Sequence, residues 1–295
     1  MTSRSEMKGR HTMTLVMGAV AYDPKVVTIW EGFRDWLRAH GLPFDFVLYS
    51  NYERQAEDLA DGHIHAAWHS PLAWIRATRL AAARGQRLIP LVMRDTDQDL
   101  RSVIVVRSDS PCQDVAGLKG GTIGAGAVDS PQATLIPCSY LRSLGVQPGC
   151  DVGVRRFDVG VGLHGDHIGG ERDAARALMS GQVSAACMID TNHLLFSQEG
   201  TLPAGATRIL ARTGPFDHCN MTVAGQAPAR LVRRFGELLL SMSAADPQVR
   251  RLFDLEGLTE WRAGRSTGYA ALETAVNETG FYDDAGGVTA SGYTP

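Results

Sequence analysis

The chain has 295 residues, enough for one large domain or for two of about 150 residues. Its hydrophobic content of 44% and charged content of 21% are typical of a globular protein, and its net charge of −3 gives no electrostatic basis for binding nucleic acid or an anionic membrane. No apolar run reaches the roughly 20 residues that a membrane-spanning helix needs, so we expect no membrane insertion.

The N-terminal residues and the cysteines predict a cellular location. Residues 1–12 contain several charged side chains but no apolar segment of the kind found in a secretory signal peptide. The five cysteines are odd in number and scattered, with neither metal-binding spacing nor a disulfide pattern. We therefore predict a cytoplasmic protein, with a periplasmic or extracellular location as the alternative if the start of the chain is wrongly assigned.

Strands and helices alternate over the first hundred residues. The first helix is amphipathic, with Val27, Trp30 and Phe33 predicted on one face. Repeated strand–helix–strand units predict a mostly parallel sheet that is covered on both faces. The expected strands are Met13–Ala19, Phe44–Tyr49, Ile64–Trp68 and Leu88–Met93, and the expected helices are Pro24–His40, Tyr52–Ala60 and Leu72–Ala83.

A second unit of the same kind follows the apolar run Ser102–Arg107. Its expected strands are Gly121–Gly124, Val152–Phe157 and Ser184–Met188, and its expected helices are Gln132–Leu144, Glu171–Ser180 and Thr191–Glu199. The chain then returns through Arg208–Ala211 and Cys219–Ala224 to helical segments at Ala229–Phe253 and Tyr269–Thr279.

This order predicts an α/β protein of two lobes with a ligand cleft between them. Residues 12–104 and 212–285 are expected to form the first lobe, and residues 105–211 the second. Residues 1–11 and 286–295 are expected to be flexible termini, because they are polar or rich in small residues.

A glycine-rich turn between a strand and a helix is the strongest sign of a binding site. In the segment Gly126–Leu135, Asp129 or Ser130 can cap a helix, and Pro131 suits its first turn. Such a turn directs unpaired N–H groups and the positive end of the helix dipole at whatever lies in front of it. We interpret it as part of a site for a small polar molecule; the alternative is an ordinary capped helix.

Imidazole and carboxylate groups are concentrated in one loop. His164, Asp166, His167 and Glu171 lie within eight residues, on a segment interrupted by glycines. Two histidines with a carboxylate suit Zn, Fe(II) or Mn, although their spacing matches no known metal motif. Three interpretations stay open: a divalent metal site holding Fe or Zn, contacts with a ligand, and a polar loop without function.

His69 ends an apolar strand, at the edge of the sheet where α/β proteins bind ligands. Its imidazole suits a general base near neutral pH, or a hydrogen bond to a ligand without any chemistry. If the protein is an enzyme, His69, His164 and His167 are the candidate catalytic residues.

Several short segments, taken in order, resemble the phosphonate-type solute-binding proteins of ABC transporters, which have the type II periplasmic binding protein fold. The ordered set covers roughly residues 14–253. The segments are Gly18–Asp23, Ala66–Pro71, Asp114–Gly120 with Thr122–Gly124, Asp129–Gln132, Arg172–Ala174 and Gly181–Ala186.

The resemblance implies a ligand held between the lobes, with an oxyanion at the helix start near Ser130. In two places the chain departs from the family. Asp129 stands where relatives have small hydroxyl residues, and Arg172 replaces a histidine. A carboxylate there repels a dianion, so a zwitterion, an amine-bearing ligand or a metal-bridged ligand fits better than a simple phosphonate. The ligand-binding residues implied in this way are Tyr22, His69, Ser70, Asp129, Ser130, Gln132, Arg172 and Asp190.

Two functions follow from this resemblance. The first is a solute-binding protein that closes over a small polar anion or zwitterion of the phosphonate class and, if exported, delivers it to an ABC permease. The second is a cytoplasmic enzyme of lyase or synthase type on the same scaffold, which uses His69, Asp129, His164 and His167 for acid–base or metal chemistry. A bound metal whose removal abolishes turnover would distinguish the second from the first.

Overall fold

The computed structural model describes residues 13–295, so the predicted terminus 1–11 lies outside the described residues. Its strands are β1 (Leu15–Val20), β2 (Phe44–Tyr49), β3 (Ala66–His69), β4 (Leu88–Arg94), β5 (Ser102–Arg107), β6 (Thr122–Ala125), β7 (Gly153–Arg156), β8 (Ala185–Ile189), β9 (Thr207–Arg212), β10 (Asn220–Ala224) and β11 (Trp261–Ala263).

The helices alternate with these strands. They are α1 (Lys25–Ala39), α2 (Tyr52–Ala60), α3 (Pro71–Ala83), α4 (Ile136–Ser143), α5 (Gly169–Met179), α6 (Asp190–Gln198), α7 (Ala229–Ser241), α8 (Pro247–Glu256) and α9 (Ala270–Thr279). A single π-helical turn, Pro131–Leu135, leads into α4. Within residues 13–295, none of the helices combines the length and the apolar character needed to cross a membrane.

Two separate sheets form the two predicted lobes. The first has the strand order β11-β4-β10-β3-β1-β2, with β1, β2 and β3 parallel and β10 and β11 antiparallel to their neighbours. The second has the order β7-β6-β8-β5-β9, in which β5 runs against both of its neighbours. The sheets are therefore mixed, as expected of a mostly parallel α/β fold with returning strands.

The whole of β5 belongs to the second sheet, so the expected lobe boundary at residue 104 falls inside a strand. The helix expected at Ala229–Phe253 is two helices, because Asp246 caps a new helix that begins at Pro247. The short strand β11 was not predicted; its three residues are too few to show a periodic pattern.

The core of the first lobe lies between α1 and its sheet. Trp30 packs against Trp68 on β3, and Trp68 meets Trp261 on β11 edge to face. Val26 is buried in this core, whereas Val27 is exposed, so the predicted apolar face of α1 was wrong by one residue at its start.

Two crossing segments pair with each other where the chain passes between the lobes. Leu100 and Phe216 exchange both backbone hydrogen bonds, each at 2.8 Å. Beside them, Arg265 donates to Asp99 at 2.7 Å and to Asp217 at 2.6 Å. This short two-stranded connection joins the two lobes.

The C-terminal segment, whose residues 286–295 were expected to be a flexible end, lies against both lobes. Phe281, Tyr282 and Tyr293 are all buried. They belong to one apolar cluster with residues of α3 in the first lobe and with Val128 and Leu135 in the second. Burial of these aromatic rings supplies the free energy that orders a tail rich in glycine and serine.

Candidate ligand site between the lobes

The glycine-rich turn lies in the contact between the lobes. Ser130 accepts the backbone N–H of Ala133 at 3.2 Å, which is the predicted helix cap. The Asp129 carboxylate is fully buried, and its Oδ2 atom accepts the N–H groups of Gly162 at 2.8 Å and His164 at 2.9 Å. Asp129 thus fixes the loop that carries the predicted histidine cluster.

His164 reaches from the second lobe into the first. Its Nδ1 atom is hydrogen-bonded to the Ser70 hydroxyl at 2.8 Å, and its Nε2 atom lies 3.0 Å from Glu53 Oε1. The ring stacks on Tyr52 with 4.8 Å between centroids. His164 has a φ of +50°, which is rare for a residue with a side chain and is typical of functional positions.

Glu53 receives three donors on one oxygen. His164 Nε2 is joined there by the hydroxyls of Tyr293 at 2.6 Å and Tyr282 at 3.1 Å. Burial alone raises the pKa of Glu53, but His164 and these hydrogen bonds outweigh it and lower the pKa to about 2. Glu53 is therefore an anion buried between the lobes.

A chain of hydrogen bonds fixes the tautomer of His69. Asn220 donates its amide to Tyr269, so its oxygen accepts the Thr222 hydroxyl proton at 2.6 Å. Thr222 must then accept from His69 Nδ1, which lies at 2.9 Å. Burial lowers the pKa of His69 to about 3, so the ring is neutral and its Nε2 atom is a lone-pair acceptor.

Four buried atoms around this contact have no hydrogen-bond partner among residues 13–295. They are Oε2 of Glu53, Nε2 of His69, Oδ1 of Asp129 and Oε1 of Gln132. Two come from each lobe, and all four are acceptors. Buried acceptors without donors are unfavourable, so N–H or O–H donors at these atoms would stabilise them.

Gln132 lies against the same loop. Its amide nitrogen donates to the Gly165 carbonyl at 2.8 Å and to Glu171 at 3.2 Å, which leaves its oxygen directed at Gly165. A Cβ atom on Gly165 would lie 2.5 Å from that oxygen, and Gly165 has a φ of +83°. This position therefore requires glycine.

A second group of charges lies deeper in the first lobe. Arg94 donates to both oxygens of Asp97, at 2.5 Å and 2.9 Å, and to Glu256 at 3.3 Å. Burial raises the pKa of Glu256 to about 7, and it also raises the pKa of Asp166, a second-lobe residue hydrogen-bonded to Tyr52. Three carboxyl groups thus surround one guanidinium group.

The predicted residue Tyr22 belongs to this deeper group. Burial raises the pKa of its hydroxyl, with further contributions from the nearby carboxyl groups of Asp166 and Glu256. Tyr22 therefore stays neutral and can donate a hydrogen bond there.

Comparison with known proteins identifies the family. A family model described as the ABC transporter, phosphonate, periplasmic substrate-binding protein matches residues 18–269. The chain belongs to this family. No significant match was found among curated protein sequences.

Solved structures of substrate-binding proteins have the same fold. PhnD1 from Prochlorococcus marinus in complex with methylphosphonate is 15% identical, with a TM-score of 0.64 over 90% of this chain and 97% of that one. XAC2383 from Xanthomonas citri bound to ATP is 17% identical, with a TM-score of 0.67 over 90% and 97%. The sulphonate-binding protein SsuA from Escherichia coli is 18% identical, with a TM-score of 0.56 over 90% and 92%. These likenesses establish the predicted two-lobed periplasmic binding protein fold.

Among the residues that the family resemblance implied, Ser70 contacts the other lobe directly through His164, and two others do not join the buried group. Arg172 forms an ion pair with Glu199, at 2.8 Å and 3.1 Å, on the second lobe. Asp190 begins α6 and donates its backbone N–H to the Arg101 carbonyl at 2.9 Å. Arg172 is therefore held by an acidic neighbour within the second lobe.

The four residues of the predicted metal site have separate partners and do not converge. His164 contacts Ser70 and Glu53, and Asp166 contacts Tyr52. His167 is exposed and accepts the N–H of Gly169 in its own loop. Glu171 accepts the backbone N–H of Ile189 at 3.0 Å and the side-chain amide of Asn192 at 2.9 Å, so it is held beside the start of α6.

A different set of metal-type donors lies close together among the described residues. Donor atoms of Asp97, His218 and Cys219 are within 4.8 Å of one another. Both oxygens of Asp97 are already bound by Arg94, whose positive charge opposes a cation at that point. The arrangement is accounted for as a buried ion pair.

Sequence reasoning missed Glu53, Arg94, Tyr282 and Tyr293. Glu53 looks like an ordinary charged residue near the start of an amphipathic helix, and Tyr293 stands in a tail of small residues. One signal was available: three aromatic residues in the last 15 positions are unusual for a disordered end.

Proposed function

We propose that the protein is the solute receptor of an ABC transporter and that its ligand is a small phosphonate bearing an amine. The observation that supports this ligand is the set of four buried acceptors without donors, contributed equally by the two lobes. An ammonium group supplies N–H donors and a positive charge opposite Glu53 and Asp129. Family membership supports the phosphonate class.

The two lobes provide different parts of the site. The start of α3, capped by Ser70, presents the positive end of a 13-residue helix to the phosphonate group. The ammonium group has three N–H donors, and the acceptors available to it are among the unpartnered atoms of Asp129, Gln132, Glu53 and His69. A zwitterion of this kind matches both the start of α3 and the buried acceptors, whereas a simple dianion is repelled by the carboxylates of Glu53 and Asp129.

The mechanism is closure about the hinge at Leu100 and Phe216. The ligand makes contacts with both lobes only when they are closed, so its binding free energy favours the closed state. Family membership favours this receptor function over the enzyme on the same scaffold.

The partner that we propose is an ABC permease. Delivery to a permease requires a protein outside the cytoplasmic membrane, and the family is described as periplasmic. We therefore propose the periplasm as the working location, in place of the cytoplasm predicted from the N-terminal sequence.

Calorimetric titration with a matched pair of ligands tests the proposal. We expect 2-aminoethylphosphonate to bind at least about tenfold more tightly than ethylphosphonate, which lacks only the amine. Asp129→Asn should weaken binding of the amine-bearing ligand and leave binding of ethylphosphonate unchanged or stronger. Equal affinity for the two ligands, or no binding of either, would show that the assignment is wrong.

A further inference from the structure

The C-terminal segment 281–295 follows the part of the chain that matches the family model, which ends at residue 269. We propose that this segment is a latch between the lobes and that Tyr293 is a positioning residue for lobe closure. The effect on ligand release rests on the proposed function, but the latch itself is testable without any ligand.

The segment is fixed to the first lobe at several points. Arg76 donates to the Gly286 carbonyl at 2.9 Å, and Arg79 donates to the Tyr282 carbonyl at 2.7 Å. Asp283 accepts the N–H groups of Ala285 and Gly287 at 2.9 Å and 2.7 Å, which closes a tight turn. These contacts define one path for the tail across α3.

The same segment reaches the second lobe through Tyr293. The Tyr293 hydroxyl lies 2.6 Å from Glu53 Oε1 in the first lobe and 2.9 Å from His164 Nε2 in the second. Its ring is 7% exposed and packs 4.9 Å from Phe281 between centroids. One phenol therefore joins a carboxylate and an imidazole that belong to different lobes.

Apolar contacts continue this bridge. Tyr293 and Phe281 share a cluster with Val128 and Ile136 of the second lobe. Immediately before the segment, Glu278 on α9 forms an ion pair with Arg142 on α4 at 3.1 Å. When the lobes separate, these contacts must break, so the segment stabilises the closed state independently of a ligand.

Tyr282 provides a matched control. Its hydroxyl donates to the same Glu53 oxygen, at 3.1 Å, but Tyr282 and Glu53 both lie on the first-lobe side. Tyr282→Phe thus removes a hydrogen bond of the same kind without removing a bridge between lobes. Tyr293→Phe removes the bridge and keeps the buried ring.

Pulsed electron spin resonance can measure the distance between the lobes in the ligand-free protein. One spin label is placed on the native, exposed Cys150 of the second lobe and one on Thr28→Cys of the first, in a Cys112→Ser background. We expect one closed population in the parent protein and in Tyr282→Phe. We expect Tyr293→Phe to raise the open-to-closed ratio by about tenfold, and removal of residues 288–295 to raise it further.

An unchanged distance distribution in Tyr293→Phe would overturn the latch. An equal shift in Tyr282→Phe would overturn it as well, because a merely structural role of the segment predicts no difference between the two variants. Since both measurements use ligand-free protein, neither depends on the identity of the ligand.

A second experiment measures the release of 2-aminoethylphosphonate. Tyr293→Phe should increase its dissociation rate constant by about tenfold, and by clearly more than Tyr282→Phe does, because only Tyr293 joins the two lobes. An altered distance with an unaltered dissociation rate would retain the latch and reject the positioning role of Tyr293 in ligand retention.

Discussion

His164 of the second lobe and Glu53 of the first form a buried hydrogen bond, with Nε2 and Oε1 at 3.0 Å. His164 is fully buried, and Glu53 is 4% exposed. Because breaking this pair leaves an unpaired charge out of water, the contact has more effect on the closed state than a surface ion pair would.

The two histidines of the same loop should therefore respond differently to substitution. His164→Ala should lower the free energy of unfolding by about 2–4 kcal/mol, since it leaves Glu53 and Ser70 without a buried partner. His167→Ala should change it by less than about 0.5 kcal/mol, because that side chain is exposed. Urea denaturation measures both, and equal effects would contradict the assignment of His164 to the lobe contact.

Glu53 should make stability depend on pH in the acid range. Its pKa in the folded protein is about 2, below the ordinary value of 4.5, so its contribution is present above pH 4.5 and is lost as the pH falls towards 2. The difference in unfolding free energy between the parent and Glu53→Gln should reach roughly 3 kcal/mol near pH 7 and shrink below pH 4.5. Thermal unfolding at a series of pH values measures this difference.

Glu57→Gln is the control for that series. Glu57 lies one helical turn from Glu53, and its carboxylate pairs with Arg76 within the first lobe at 2.8 Å. Glu57→Gln should change the free energy of unfolding by less than Glu53→Gln does, because the Glu57 carboxylate is partly exposed to solvent. A pH dependence of the same size in Glu57→Gln would show that Glu53 has no special role.

Glu256 should make stability depend on pH in the opposite direction to Glu53. Burial raises its pKa from 4.5 to about 7, so the folded protein holds a proton that the unfolded chain has released between these pH values. Its favourable contribution is present below pH 4.5 and is lost as the pH rises through 7. Glu256→Gln keeps an acceptor for Arg94 and cannot ionise, so its stability relative to the parent should increase between pH 5 and pH 8.

Chemical denaturation at pH 5 and at pH 8 measures the free energies of unfolding of the parent protein and of Glu256→Gln. The gain in relative stability should be roughly 2–3 kcal/mol. A constant difference between parent and variant across this range would mean that Glu256 is ionised in the folded protein throughout.

Much of the fold follows from periodic patterns in the sequence. The strand Phe44–Tyr49 and the amphipathic helix near Trp30 were predicted because each pattern lies within a single element. The capped turn at Ser130 was predicted for the same reason, since the residues that form it are neighbours in the chain. A local pattern of this kind can be predicted without knowing which residues pack against it.

The composition of the site was less predictable, because its residues are distant in sequence. Glu53 and Tyr293 are 240 residues apart and share a hydrogen bond only after both lobes and the tail have folded. His164 was grouped with its neighbours in the loop, for a metal, for contacts with a ligand or for no function, whereas the structure pairs it with Ser70 and Glu53 of the other lobe. Grouping residues by proximity in the chain fails when a loop distributes them among different partners.

Gly165 offers a test of how closely the loop fits against the helix start. Gly165→Ala places a Cβ atom 2.5 Å from Gln132 Oε1 and also strains a backbone with a φ of +83°. Gly145 has a similar φ of +77°, but a Cβ atom there would meet nothing within 4 Å. Gly145→Ala should therefore lower the free energy of unfolding by about 1 kcal/mol, through backbone strain alone.

Gly165→Ala should lower it by about 2–3 kcal/mol, because displacement of Gln132 also breaks its hydrogen bonds to the Gly165 carbonyl and to Glu171. It should also weaken binding of 2-aminoethylphosphonate, whereas Gly145→Ala should not. Denaturation and calorimetry on the two variants check both expectations. If the two alanine variants behave alike, the loop is not packed against Gln132 in solution, and Gln132 then has no fixed place in the site.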